Sequence, residues 1–133
     1  MLTTFNLELA LQAVSEATCD FCGAQQESVL PLPVGGNTCA RCAPALYRMH
    51  LMVQGRLSRL GGVPLSDYLV WQQTQPGFWQ LSFQGLEVAY LYRNVPYGYR
   101  WRNTLNAENG EAPGQEAAQR AAVESVQRAA SKL

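Results

Sequence analysis

Residues 78–93 read Phe-Trp-Gln-Leu-Ser-Phe-Gln-Gly-Leu-Glu-Val-Ala-Tyr-Leu-Tyr-Arg. From Phe78 to Gln84 the large apolar residues Trp79, Leu81 and Phe83 alternate with Gln80, Ser82 and Gln84. A period of two belongs to a half-buried strand, whose successive side chains leave opposite faces. Gln84-Gly85 turns the chain. Leu86 to Asn94 then sets Leu86, Val88, Tyr90 and Tyr92 against Glu87, Ala89, Leu91 and Arg93. Asn94-Val95-Pro96 turns it again, and Tyr97, Tyr99 and Trp101 alternate with Gly98, Arg100 and Arg102. Short turns between period-two runs predict an antiparallel meander of three strands. On its last strand the aromatics and the arginines must point to opposite faces. The aromatic set is the natural core and the arginine set the surface.

Helices flank the meander. Residues 44–60 place Leu46, Met49, His50, Val53, Leu57 and Leu60 at helical spacing, with Arg48, Met52, Arg56 and Arg59 on another face. Pro44 suits a first helical turn, where its missing N–H would have no partner. Gly61-Gly62 marks the end. From Gln115 to Ala130, Ala118, Ala122, Val126 and Ala129 form a stripe of small residues that lets a helix lie close on the sheet, against Trp79, Leu81 and Phe83. Tyr68 to Trp71 is too short to assign. Residues 72–77 read as a turn-bearing loop, and 103–114 as a polar surface loop. A further helix is expected over 4–17, where Leu7, Ala10, Leu11 and Val14 fall on one face.

The four cysteines stand between these parts. They form two C-x-x-C pairs, Cys19/Cys22 and Cys39/Cys42, sixteen residues apart. Each C-x-x-C turn presents two sulfurs to one ion, and two turns close a tetrahedral shell of thiolates suited to Zn2+. A closed shell has no position left for substrate, so the expected metal is structural. Gly23 after the first turn, the extended Ser28–Val34 with its two prolines, and the turn at Gly35-Gly36-Asn37 complete a knuckle, hairpin, knuckle, helix order. The fold class expected is therefore α+β: an N-terminal helix and a small four-cysteine zinc module over 1–43, then a helix, three-stranded antiparallel sheet and closing helix over 44–133.

Composition bounds the function. The 133 residues carry ten Lys or Arg and ten Asp or Glu, with one histidine, His50. Residues 41–102 hold seven arginines against Asp67 and Glu87, a local excess of +5. Arg48, Arg56, Arg59, Arg93, Arg100 and Arg102 are thus a candidate surface for an anionic partner, and equally the solvated face of an amphipathic body. The first eighteen residues lack Lys and Arg, and no apolar run approaches the ~20 residues of a membrane span. This predicts a cytoplasmic protein, where paired C-x-x-C turns hold metal more readily than they form disulfides.

Residues 19–47 resemble the zinc-binding module at the N-terminus of the ClpX unfoldase family, a treble-clef finger. Cys19-Asp20-Phe21-Cys22-Gly23, Glu27, Val29, Leu32, Gly36 and Cys39-Ala40-Arg41-Cys42 carry the likeness. It implies zinc on Cys19, Cys22, Cys39 and Cys42, and a module that dimerises and docks adaptors and substrates. No G-x-x-x-x-G-K-[ST] occurs, so the ATPase of that family is absent. Over 44–131 the expected αβββα order resembles the double-stranded-RNA-binding domain, with Glu116-Ala117-Ala118-Gln119-Arg120-Ala121-Ala122 repeating its alanine spacing. That family's phosphate-binding lysines are replaced by Gly114 and Gln115, which removes its anchor on the RNA backbone.

No catalytic motif accompanies the cysteines, and thiolates that hold zinc are not free nucleophiles. The expectation is a non-enzymatic zinc-binding module that engages a protein partner as adaptor, inhibitor or regulator, with homodimerisation as one form of that role. The alternative is a nucleic-acid-binding regulator that uses the arginine surface. Neutral total charge favours the first and the local +5 the second.

Overall fold

The alternating stretch does form the centre of a sheet, but a wider one than three strands. A computed structural model describes residues 18–25, 29–94 and 98–133. The helix expected over 4–17, Glu27 and Tyr97 lie outside these residues. The architecture is α+β. A two-stranded ribbon, β1 (Leu30–Pro31) and β2 (Asn37–Thr38), precedes helix α1 (Ala43–Leu57) and a single 3-10 turn at Leu65–Tyr68. Then come β3 (Leu69–Gln75), β4 (Phe78–Phe83), β5 (Leu86–Arg93), β6 (Tyr99–Asn103), β7 (Asn109–Ala112) and helix α2 (Gln115–Ala130). Strands β3 to β7 form one five-stranded antiparallel sheet in sequence order. Among the described residues no helix is long and apolar enough to cross a membrane.

The three-strand expectation is corrected at both edges. Residues 69–75 form an edge strand with no buried position, Leu69 and Trp71 being half-buried and the rest exposed, so its composition shows no sustained alternation. Its partner register holds it instead, with Leu69 opposite Phe83 and Trp71 opposite Leu81. Pro76-Gly77 then makes the turn into β4. At the far edge, β7 is polar because it too is an edge. Gly110 lies opposite Trp101, and a Cβ there would come within 2.9 Å of the indole. A bare backbone lets the ring lie across this strand.

The phase of β5 is the second correction. Leu81 pairs with Ala89, but Ser82 pairs with Glu87, so Val88 is an extra residue opposite the β4 ladder. Such a bulge puts two consecutive side chains on one face and reverses the alternation beyond it. Val88 and Ala89 are both buried, and Leu91 follows them into the core. Tyr90 and Tyr92 emerge on the outer face, opposite the direction expected from a continuous period of two. Tyr99 and Trp101 keep the expected core side, with Arg100 and Arg102 outside.

Helix α2 covers the inner face. Ala118, Ala122, Val126 and Ala129 are all buried, as their spacing requires. The helix lies chiefly across β5, β6 and β7, rather than over β4 alone. Leu81, Phe83, Val88, Leu91, Trp101 and Val126 belong to one core. Helix α1 joins this core through Leu46 and Val53. It runs from Ala43 to Leu57, and its last residues before Gly61-Gly62 form turns rather than helix.

Residues 104–108, expected in a polar surface loop, are partly interior. Asn103, Leu105 and Ala107 are buried. A buried loop needs partners for its backbone polar groups. Asn103 Oδ1 accepts from the Leu105 N–H at 2.8 Å and Nδ2 donates to Ser125 Oγ at 2.9 Å. Asn106 Oδ1 accepts from the Glu108 N–H at 2.9 Å. Two asparagine turns thus satisfy the loop locally and let it pass beneath α1.

Candidate metal centre

Each cysteine is delivered by a short turn. The Gly23 N–H donates to the Cys19 carbonyl at 2.9 Å and closes the first knuckle. In the second, the N–H groups of Cys42 and Ala43 donate to the Cys39 carbonyl at 3.2 and 3.0 Å, and Cys42 is the N-cap of α1. Helix α1, which carries Arg48 and Arg56, therefore begins at one of the four cysteines. The knuckles are joined by Asp20, whose carboxylate accepts from the Asn37 N–H at 2.6 Å, and by the Cys39 N–H, which donates to Cys19 Sγ at 3.3 Å.

The four sulfurs lie within 4.8 Å of one another and could hold a metal ion. Cys22 and Cys39 are 3.8 Å apart, far beyond the ~2.05 Å of a disulfide. A tetrahedron with metal–sulfur bonds of about 2.3 Å has edges of about 3.8 Å, so the spacing fits a thiolate-bound ion. Cys19 and Cys39 are buried, Cys42 half-buried and Cys22 exposed.

Electrostatics favour a cation at the centre. Burial raises the Cys19 thiol, but the N–H groups of Cys22, Cys39 and Phe21 outweigh that and leave it lowered to about 6. The Cys42 N–H holds the Cys39 thiol below its ordinary value against burial. Cys42 is pushed up to about 12 by burial, and then by the neighbouring sulfurs of Cys39, Cys22 and Cys19. Adjacent thiols cannot all ionise alone, because like charges repel across a few ångströms. A divalent cation among them reverses that balance.

The centre is docked on the sheet and its following loop by hydrogen bonds. Arg102 donates to the carbonyls of Asp20 at 2.5 Å and Phe21 at 3.5 Å. Asn106 Nδ2 donates to the Val34 carbonyl at 3.1 Å. Gly36 has φ +82°, and a Cβ at that position would collide with the Asn106 carbonyl. His50 is buried in the same junction and donates from Nε2 to the Leu105 carbonyl at 2.8 Å. It anchors α1 on the 104–108 loop and is not part of the sulfur cluster.

The six arginines do not form one surface. Arg56 donates to the Gln84 carbonyl at the β4–β5 turn, and Arg102 to the first knuckle. Arg93 lies at the other end of the same hairpin, beside Gly77. Arg100 faces Glu111 at 3.7 Å. Arg48 and Arg59 are exposed on and just after α1. Sequence reasoning missed the docking group of Asn103, Leu105, Asn106 and Gly36. The signal within reach was the pair of asparagines, each two residues before an amide that its side chain could satisfy. No protein-family model, curated protein or solved structure matches the chain.

Proposed function

We propose that the chain is a non-enzymatic interaction module in which Cys19, Cys22, Cys39 and Cys42 hold a structural Zn2+ and α1 presents a surface to a protein partner. A four-thiolate shell suits zinc over harder cations, and it has no open position for chemistry. A reducing compartment such as the cytoplasm keeps the thiolates available. The observation that carries the reading is the outer face of α1. Tyr47, Leu51 and Met52 are 43%, 67% and 40% exposed. They adjoin at i, i+4 and i+5, with Arg48 among them. Apolar side chains grouped on one face of a rigidly held helix mark a docking surface. The partner that fits is a protein with an apolar groove and an acidic rim to meet Arg48.

A photo-crosslinking residue placed at Leu51 in zinc-loaded protein tests this. The expected result is one reproducible crosslinked protein, whose purified form binds the wild type and loses binding to Tyr47→Glu or Met52→Glu. Zinc content and circular dichroism of those variants stay unchanged. A purified partner that binds the variants as well as the wild type overturns the reading. A crosslink to a second copy of this chain, with dimer mass by light scattering, replaces the partner with a homodimer.

A further inference from the structure

The bulge at Val88 has a chemical result on the face of the sheet that α2 leaves uncovered. Phe78, Tyr90 and Tyr92 stand together there, with ring centroids 5.7 Å apart for Phe78–Tyr90 and 6.4 Å for Tyr90–Tyr92. Their planes are within 14° and 24° of parallel. Across the ladder, Tyr90 is paired with Arg102 and Tyr92 with Arg100. The conflict between aromatics and arginines on one strand therefore disappears, because each set comes from a different strand. A concavity of about 240 Å³ opens on this face, bordered by Tyr90, Tyr92, Arg100, Trp101, Arg102 and Asn109. Arg102 is held by the Asp20 and Phe21 carbonyls, so this surface adjoins the first knuckle, but it shares no residue with the α1 face or the four cysteines.

We propose that this face binds single-stranded RNA, with a base against the Tyr90/Tyr92 rings and Arg100 toward the adjoining phosphate. Aromatic rings supply sequence-tolerant stacking, and arginine supplies both phosphate contact and planar stacking. The bases of a duplex are already stacked on each other and are not free to lie on these rings. A neighbouring acceptor selects the sugar. Glu111 lies opposite Arg100 in the ladder, and Asn109 opposite Arg102. Asn109 Nδ2 donates to the Ala107 carbonyl at 3.1 Å, which leaves its Oδ1 as an acceptor among the described residues. The Asn109 amide oxygen, beside Arg100 and Arg102, accepts from a ribose 2′-hydroxyl, a donor that deoxyribose lacks.

Fluorescence anisotropy of a labelled single-stranded RNA 12-mer with zinc-loaded protein is the test. The same sequence as DNA, and as duplex RNA, supplies the comparisons. The expected affinity order is single-stranded RNA, then single-stranded DNA, then duplex. One phosphate contact on a single strand gives a slope of log K against log salt of about −0.7, and Arg100→Gln brings it close to zero. Tyr92→Ala weakens binding roughly 5- to 150-fold, the range for one lost base stack, while Tyr92→Phe retains it. Leu51→Glu on α1 leaves RNA binding unchanged, so failure here is separate from failure of the protein-partner reading. Absence of any anisotropy change at low salt overturns the proposal, as does equal binding of the duplex. Equal binding of the DNA strand overturns the assignment to RNA.

Discussion

The clasp over residues 18–42 and the sheet with α2 are stabilised by different means. The clasp has two-residue strands and few fully buried side chains, chiefly Cys19, Leu32, Val34, Thr38 and Cys39. We propose that its order depends on an ion held by the four sulfurs. The sheet supplies most of the apolar core, with Leu81, Phe83, Val88 and Leu91 all without exposed surface, and the clasp adds only Leu32 and Val34 to the same cluster. A segment too small to bury enough apolar area needs a crosslink or a metal, whereas a sheet covered by a helix does not. We expect the sheet to stay folded when the order of the clasp is lost.

Removal of the metal probes that independence most strongly. Structural zinc sites of this kind contribute an apparent ~10–16 kcal/mol to local folding. Chelation, or Cys39→Ser, is expected to abolish amide-exchange protection over 18–42 and at the start of α1. Protection at Leu81 and Leu91 persists. Loss of protection at both sites would show a single cooperative unit. The reverse experiment is Phe83→Ala, which should cost about 3–5 kcal/mol by opening a cavity in the core. Urea unfolding reads the loss, and zinc stoichiometry in native buffer stays at one per chain.

Gly36→Ala addresses the joint between the two regions. The added methyl meets the Asn106 carbonyl at a backbone angle that side chains rarely adopt. The expected cost is of order 1–3 kcal/mol. Zinc remains bound while exchange over 104–108 accelerates. The smallest effect is electrostatic. Ser125 first, and then Arg128 at 2.6 Å, hold the Glu108 carboxyl below its ordinary value against partial burial. A lowered folded-state pKa contributes stability above the unfolded value of about 4.3, and that stability is lost as pH falls through the folded value. Because the Arg128 pair is exposed, Glu108→Gln should cost less than about 1 kcal/mol at pH 7. The difference from wild type should vanish as the carboxyl protonates, in paired urea titrations across that range.

The parts legible in advance were those governed by short-range rules. Cysteine spacing located the sulfur cluster, and the alanine stripe at 118, 122 and 129 located the buried face of α2. The helical period around Leu46, His50 and Val53 located the inner face of α1. Edge strands were not legible, because β3 and β7 bury too little to display a period of two. Nor was the interior 104–108 loop. Its polar residues resemble a surface loop until Asn103 and Asn106 are seen to turn their amides on the loop's own backbone.

By itself, the order of residues determined which side chains could share a turn of helix, a strand face or a C-x-x-C knuckle, since those relations are fixed by local backbone geometry. Tertiary structure decided where the bulge fell, because Val88 becomes an extra residue only when β4 supplies one partner fewer. That one residue sends Leu91 inward and Tyr90 and Tyr92 outward beside Arg100 and Arg102. It also decided that Arg102 and Gly36 would join the clasp to the sheet. Pairing between strands is non-local, and no periodicity within a single strand encodes its neighbour's register.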